Sequence, residues 1–310
     1  MNRIKVGIIG ANGFVGRALA IELISKTEHF DLHLFSRSSI EGINYNQNVF
    51  YHLLELNSSN LSLPKELFEI EVLFYLISDS IPATSWNNAT NDIYKNLIPF
   101  IDLIEKLANG KLKKIIFTSS AGTIYGDSIN LNNEDSPKAP FTPHGISKLT
   151  SEYFLEYFWK KYGVNYTIFR ISNIYGSGQL TSKGLGIINT ILEKHINNDE
   201  ITIFGDGKTI RNYVYIKDVA KILASSIYHD SVTNNVINLA SADNLDINQI
   251  ISIIEKVTNK IVKRKNESLR TSDASFSLID NSRLLINFKD FKPTPIEKGI
   301  LETYINLKNE

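Results

Sequence analysis

Ile4-Lys5-Val6-Gly7-Ile8-Ile9-Gly10-Ala11-Asn12-Gly13-Phe14-Val15-Gly16 is the stretch on which the fold turns. It reads as an apolar strand, Ile4–Ile9, running into a glycine-spaced turn and then a helix. Glycines at 10, 13 and 16 permit a tight turn and close backbone approach to a bound group. The helix start that follows offers unpaired N–H groups and a partial positive charge to an anion. A glycine triad alone is weak evidence. Between the first strand and first helix of a strand–helix–strand pattern, it fits the diphosphate of a dinucleotide. Gly10, Asn12, Gly13, Phe14, Val15 and Gly16 are therefore the expected cofactor loop.

Further short apolar runs follow at Leu32–Phe35, Val72–Ile77, Ile115–Thr118 and Tyr166–Ile171, with room for a crossover helix between them. Continuous apolar runs are what strands buried on both faces look like. Helical periodicity covers Arg17–Ser25, Tyr94–Leu107 and Leu149–Lys161, with Gly163 in a C-terminal capping position. The expected fold class is α/β: a doubly wound parallel-sheet Rossmann domain over residues 1–172. After Ser172 the pattern loosens into the glycine-rich stretches Gly176–Gly186 and Phe204–Lys208. A smaller C-terminal substrate-binding lobe, residues 173–310, is expected there, with the chain returning to the Rossmann domain at about 212–240.

Composition narrows the function. Lysine plus arginine total 33, as do aspartate plus glutamate, so no net charge draws the 310-residue chain to nucleic acid. The absence of cysteine excludes disulfides and thiolate metal sites and fits a reducing compartment. No apolar run approaches the ~18 residues of a membrane span, and the start has no signal-peptide layout. These observations predict a soluble cytoplasmic protein with no metal, no membrane partner and no nucleic-acid partner.

The tip of the second strand bears on the cofactor. A carboxylate there holds the ribose hydroxyls of NAD, whereas an arginine accommodates the extra phosphate of NADP. Leu34-Phe35-Ser36-Arg37-Ser38 has no acid, and Ser36 with Arg37 offers charge-assisted hydrogen bonds to a phosphate. A solvated surface arginine is the alternative. The expected cofactor is NAD or NADP, with a lean to NADP.

Three more stretches matter together: Thr118-Ser119-Ser120-Ala121-Gly122-Thr123-Ile124-Tyr125-Gly126, Pro143-His144-Gly145-Ile146-Ser147-Lys148, and Arg170-Ile171-Ser172-Asn173-Ile174-Tyr175-Gly176. With the glycine turn and Phe204-Gly205-Asp206-Gly207 … Arg211-Asn212-Tyr213, the chain resembles the extended short-chain dehydrogenase/reductase family along nearly its whole length. The resemblance is to the nucleotide-sugar epimerase, dehydratase and reductase branch. It implies a tyrosine four residues before a lysine as general acid/base, with the lysine gripping the nicotinamide ribose. It also implies a strand-end hydroxyl bonding the same sugar oxygen. Lys148 matches the lysine and Ser120 the hydroxyl; the loop is one residue longer than in some members, so Ser119 and Thr123 stay in play. The tyrosine position holds His144.

Three readings of His144 compete. Imidazole titrates near neutrality, and Lys148 nearby would favour its neutral form, which still donates once and accepts once. Alternatively, water or substrate moves the proton and His144 only positions it, or the site binds without turnover. Tyr157…Lys161 and Tyr213…Lys217 repeat the Tyr-x-x-x-Lys spacing but do not stand at the helix start. The dehydratase triplet Thr-Asp-Glu is missing from the strand-end loop.

The resemblance further implies a nucleotide-diphosphate sugar as ligand. Asn173, Arg211, Arg270 and Asp273 would meet its phosphates and ribose, Ile203 and Phe204 its base, and Tyr125 would lie near the sugar. Crowding of Tyr153, Phe154, Tyr157, Phe158 and Trp159 on one helix fits burial against a second copy, a homodimer. The expected function is NAD(P)-dependent epimerase or reductase chemistry by hydride transfer at a sugar carbon, C4 in particular. The alternative is a non-catalytic dinucleotide or sugar-nucleotide binder, such as a redox sensor.

Overall fold

The computed structural model describes residues 3–43, 45–56, 63–80, 85–86, 88–181, 186–268 and 276–309. It divides into two compact units. One comprises 1–124, 140–170 and 220–237; the other comprises 125–139, 171–219 and 238–310.

The first unit is built on a seven-stranded sheet. Its order is Asn235–Leu239, Asn165–Ile171, Lys114–Ser120, Val72–Tyr75, Ile4–Ile9, Phe30–Ser36, Val49–Leu53. Pairings from Lys114–Ser120 through Val49–Leu53 are all parallel. Val6, Ile8 and Ile9 are fully buried, as their unbroken apolar run requires. Helices Phe14–Ile24, Ile98–Leu107 and Pro143–Tyr162 lie between successive strands. Phe100, Leu103, Ile104 and Leu107 of the second pack with Leu155 and Phe158 of the third in one core cluster containing Leu73, Ile115 and Phe117. Each such side chain contributes ~1.5–3 kcal/mol by leaving water.

Two strands escaped the sequence pattern. Val49–Leu53 is the edge strand, where Phe50 is 41% and Leu53 67% exposed, so no two-sided apolar run is needed. Asn235–Leu239 carries two asparagines, and the Asn234 amide donates to the Tyr166 carbonyl as the chain enters it. Within the expected stretch of about 212–240, this strand is the one that joins the large sheet. Ile210–Tyr215 pairs instead with Asn173–Tyr175 and Asn244–Asp246, inside the second unit.

That second unit holds a sheet with Asn244–Asp246, Ile210–Tyr215, Phe276–Ile279 and Ser128–Asn132 side by side, and a two-stranded pair of Ile201–Phe204 with Arg264–Glu267. Tyr125–Ala139 also belongs to it. Among the described residues, no helix is long and apolar enough to cross a membrane.

Candidate active site

Ile9, Tyr75 and Phe117 share one register row across three adjacent strands. Gly10 and Thr118, the next residues along their strands, therefore stand on the same level, ~10 Å apart at ~4.8 Å per strand. Ligands of open parallel sheets bind at this carboxyl edge.

At Gly10 the chain takes φ +86°, and its amide donates to the Phe35 carbonyl. A Cβ at Gly16 would stand 2.1 Å from the Gly10 carbonyl oxygen, so only glycine lets helix Phe14–Ile24 sit this close. Gly13 is the N-cap of that helix, with no side-chain cap and no acid in the first turn. Its leading N–H groups thus remain for an anion. Asn12 does not face that anion freely: its amide donates to Ser38 Oγ at 3.0 Å and its Oδ1 accepts from Arg17 at 3.2 Å. Phe14 and Val15 form the first helical turn. This turn fits a dinucleotide diphosphate.

Beyond the second strand, Ser36 is buried and its hydroxyl donates to the Ser38 carbonyl at 2.7 Å, so it braces its own loop. Arg37 is exposed at the tip. Arg17 reaches the Glu41 carbonyl at 3.0 Å, bringing a second guanidinium to this loop that sequence reading passed over.

Helix Pro143–Tyr162 begins earlier than its periodicity indicated, because Thr142 caps it and Pro143 fills the first turn. Thr142 Oγ1 accepts from the Gly145 amide at 3.1 Å. A Cβ on Gly145 would come within 2.9 Å of the Thr123 carbonyl oxygen, so the helix start lies tightly on the turn Ala121–Ile124. His144 is thereby seated in the first turn. Its amide donates to Ser85 Oγ at 3.2 Å and its Nδ1 is 3.3 Å from Ser80 Oγ.

One turn on, Lys148 Nζ donates to the Thr118 carbonyl at 3.0 Å and lies 4.9 Å from the centre of the Phe117 ring. His144 and Lys148 line one cleft with Tyr75, Asp92, Asn96 and Phe117. Burial, then the charge of Lys148, lowers His144 to about 4, against the opposing pull of Asp92. Burial lowers Lys148 to about 8, while Asp92 and Glu152 hold it up. At neutral pH the imidazole is uncharged and the ammonium largely charged.

The three candidate hydroxyls differ in their surroundings. Ser119 is committed: its Oγ donates at 2.6 Å to Glu152, whose carboxylate is paired with buried Arg170 at 2.7 Å. Ser120 is half-buried at the strand end, with its side chain alternating to the other face from Ser119. Thr123 Oγ1 is buried without a hydrogen-bond partner among the described residues, beside the opening turn of the His144 helix.

In the second unit, Asn173 Nδ2 donates to the Asn212 carbonyl at 2.9 Å, and the strand register sets Asn173 opposite Tyr213, two residues on from Arg211. Arg211 Nη1 reaches the Ile210 carbonyl. Ile203 is 3% exposed and faces the core, whereas its neighbour Phe204 faces the opposite side of the same strand. Tyr125 is buried, its hydroxyl donating to Asn238 at 2.6 Å. Arg270 and Asp273 lie outside the described residues.

Sequence reading missed Ser80, Asp92 and Asn96. One signal was present: Asp92 and Asn96 continue the helical stripe of Phe100, Leu103, Ile104 and Leu107, so a charge stands on a buried face.

A family model described as the NAD dependent epimerase/dehydratase family matches residues 6–240. A dTDP-4-dehydro-6-deoxyglucose reductase of Escherichia coli is 28% identical over 299 residues, 93% of this chain and 92% of its own. The UDP-glucose 4-epimerase of Thermotoga maritima, solved with UDP-glucose, is 25% identical with TM-score 0.88 over 99% of each chain. A UDP-N-acetylglucosamine 4-epimerase of Methanobrevibacter ruminantium, solved with UDP-N-acetylmuramic acid, is 25% identical with TM-score 0.89 over 100% of this chain and 99% of its own.

Proposed function

This chain belongs to the NAD-dependent epimerase/dehydratase family, and from that premise we propose that it is a nucleotide-sugar epimerase or 4-ketoreductase with His144 as its proton-transfer group. The substrate class is a UDP- or dTDP-linked hexose, and the reacting position is C4. The observation that carries this reading is the shared cleft of a buried neutral imidazole and a buried ammonium at the carboxyl edge of the sheet.

Gly10, Gly13, Phe14, Val15 and Gly16 would hold the dinucleotide diphosphate, and Lys148 its nicotinamide ribose. When bound, that group supplies the hydride acceptor and donor. The residues of this chain manage the sugar oxygen. Neutral His144 takes the hydroxyl proton as the alcohol becomes a ketone and returns it in the reverse direction. The Lys148 charge favours the anionic form of that oxygen. Ser120 or Thr123 supplies the hydroxyl that orients it, since Ser119 is occupied by Glu152. Exposed Arg37, on the loop that Arg17 also reaches through the Glu41 carbonyl, supports NADP over NAD. Asn173 and Arg211 are the proposed diphosphate contacts of the substrate lobe, and Phe204 is the proposed base contact.

Exposed Tyr153 and Tyr157, at 61% and 43%, support a homodimer through helix Pro143–Tyr162. Incubating the purified protein with UDP- and dTDP-hexoses and their 4-keto forms, with NAD⁺ or NADPH, tests the function. Stereochemical inversion or ketone reduction that falls ~10²–10⁴-fold in His144→Ala is expected. Binding of these ligands without any turnover would replace the enzyme reading with that of a binding protein.

A further inference from the structure

The cleft contains a carboxylate that the scheme above leaves unused. Asp92 is 1% exposed and ends the helical turn Ala89–Asp92, just before the π-helical turn Ile93–Leu97. Such π-turns within helices are frequent at functional sites. Asp92 Oδ1 accepts a hydrogen bond from the Ser80 hydroxyl and another from Asn96 Nδ2 at 3.2 Å. Asn96 Nδ2 also reaches Ser80 Oγ at 3.1 Å. The far side of Ser80 Oγ is 3.3 Å from His144 Nδ1.

Counting protons fixes the direction of each bond. The Asp79 amide donates to Asn96 Oδ1 at 2.7 Å, so the nitrogen of that side-chain amide must face Ser80 and Asp92. A serine hydroxyl has one proton and two lone pairs. A carboxylate only accepts, so the Ser80 proton goes to Asp92. Asn96 donates to one Ser80 lone pair, and the other faces Nδ1. Opposed lone pairs repel, so Nδ1 must carry the ring proton. A neutral imidazole has a single N–H, which leaves Nε2 bare.

We propose that Asp92, acting through Ser80, is a positioning residue that holds neutral His144 as the Nδ1–H tautomer and presents Nε2 to the cleft as a proton acceptor. Its use on a sugar hydroxyl rests on the function proposed above; the tautomer does not. The arrangement inserts one hydroxyl into the familiar pairing of a carboxylate with a histidine N–H. Asp92 Oδ2 is buried with no hydrogen-bond partner among the described residues, which a carboxylate kept only for packing would not tolerate cheaply.

Nitrogen-detected NMR of the histidine-labelled full chain at neutral pH reads the tautomer directly, with the His144 signals assigned by their loss in His144→Gln. The wild type is expected in the Nδ1–H form. Asp92→Asn and Ser80→Ala should lose that preference, and Ser80→Thr should retain it. On an active substrate, kcat in Ser80→Ala should fall roughly tenfold or more with little change in KM, less than the ~10⁴ for a directly bonded carboxylate. A wild-type Nε2–H tautomer, or an Nδ1–H tautomer unchanged in both Asp92→Asn and Ser80→Ala, overturns the proposal. A wild type inactive on all sugar nucleotides but holding the relay-dependent Nδ1–H form would uphold the proposal and refute the sugar chemistry instead.

Discussion

Lys148 Nζ is tethered to the Thr118 carbonyl oxygen at 3.0 Å, one helical turn from His144. Two cations cannot comfortably share this buried cleft. Burial and mutual repulsion therefore depress His144 to about 4, and burial lowers Lys148 to about 8. Asp92 opposes both shifts and Glu152 opposes that of Lys148.

The pH dependence of kcat/KM follows from those two values. Activity needs His144 neutral and Lys148 charged. It should fall on the acid side as His144 gains a proton toward about 4, and on the alkaline side as Lys148 loses one near about 8. A pH–rate profile checks this. The acid limb must disappear or move in His144→Tyr; its survival unchanged in His144→Ala would remove the imidazole from the mechanism. The loss in kcat for His144→Ala itself should be ~10²–10⁴-fold.

Single hydroxyl deletions should separate chemistry from architecture. Ser119→Ala takes a hydrogen bond from the buried Glu152 carboxylate and should cost ~1–3 kcal/mol of stability while kcat holds. Ser120→Ala or Thr123→Ala should do the reverse, lowering kcat with a smaller change in the urea midpoint. A kcat collapse confined to Ser119→Ala would return that residue to the site.

These contrasts also mark what sequence alone carried. The glycine turn was legible because its three positions answer to backbone sterics, which are local; Gly16 against the Gly10 carbonyl is the proof. The aliphatic strands were legible for the same reason. Ser119 was not separable from Ser120, because the difference lies in a carboxylate 33 positions later. Motif order could not say that the Tyr125 hydroxyl bonds Asn238 or that Ile203 faces the core, because a partner 113 residues later and the strand pleat decide those. Ser80 and Asp92 join His144 across more than 50 residues of chain, beyond any spacing rule.

Arg37 is expected to select the cofactor. It is exposed at the end of the strand Phe30–Ser36, where no acid stands. A bidentate guanidinium–phosphate contact is charge-assisted, so Arg37→Ala should weaken NADPH binding by ~1.5–3 kcal/mol and leave NADH nearly unchanged. Titration calorimetry with both nucleotides measures the difference. Equal loss for both would mean that Arg37 does not read the extra phosphate.

Acid should weaken the first unit through a histidine that does not line the cleft. His33 is buried, its Nδ1 lies 2.9 Å from His52 Nε2, and its ring stacks on His52 and Phe50. Burial first, then His52 and Lys5, lower it to about 4, opposed by Asp31 and Glu66; burial also lowers His52, opposed by Glu66. A folded value below the unfolded one means stability that is complete above about 6.5 and is lost as pH falls toward about 4. His33→Leu should flatten the acid side of a urea-midpoint profile. A slope identical to wild type would assign acid sensitivity to other groups.

The buried Glu152–Arg170 ion pair is coupled to the cleft through Lys148. Glu152 and Arg170 are 5% and 3% exposed and bonded at 2.7 Å, with Ser119 as a third member. Arg170→Met strands a carboxylate in the interior and should cost ~3–5 kcal/mol. Glu152→Leu combined with Arg170→Met removes both charges and should recover most of that loss, since the pair has to repay its own desolvation. Glu152 is also one of the two charges holding up Lys148. The double variant should therefore fold well yet show its alkaline activity limb at lower pH than wild type. Urea melts and a pH–rate profile on the same preparation read both effects, and an unmoved limb would detach Glu152 from the electrostatics of the cleft.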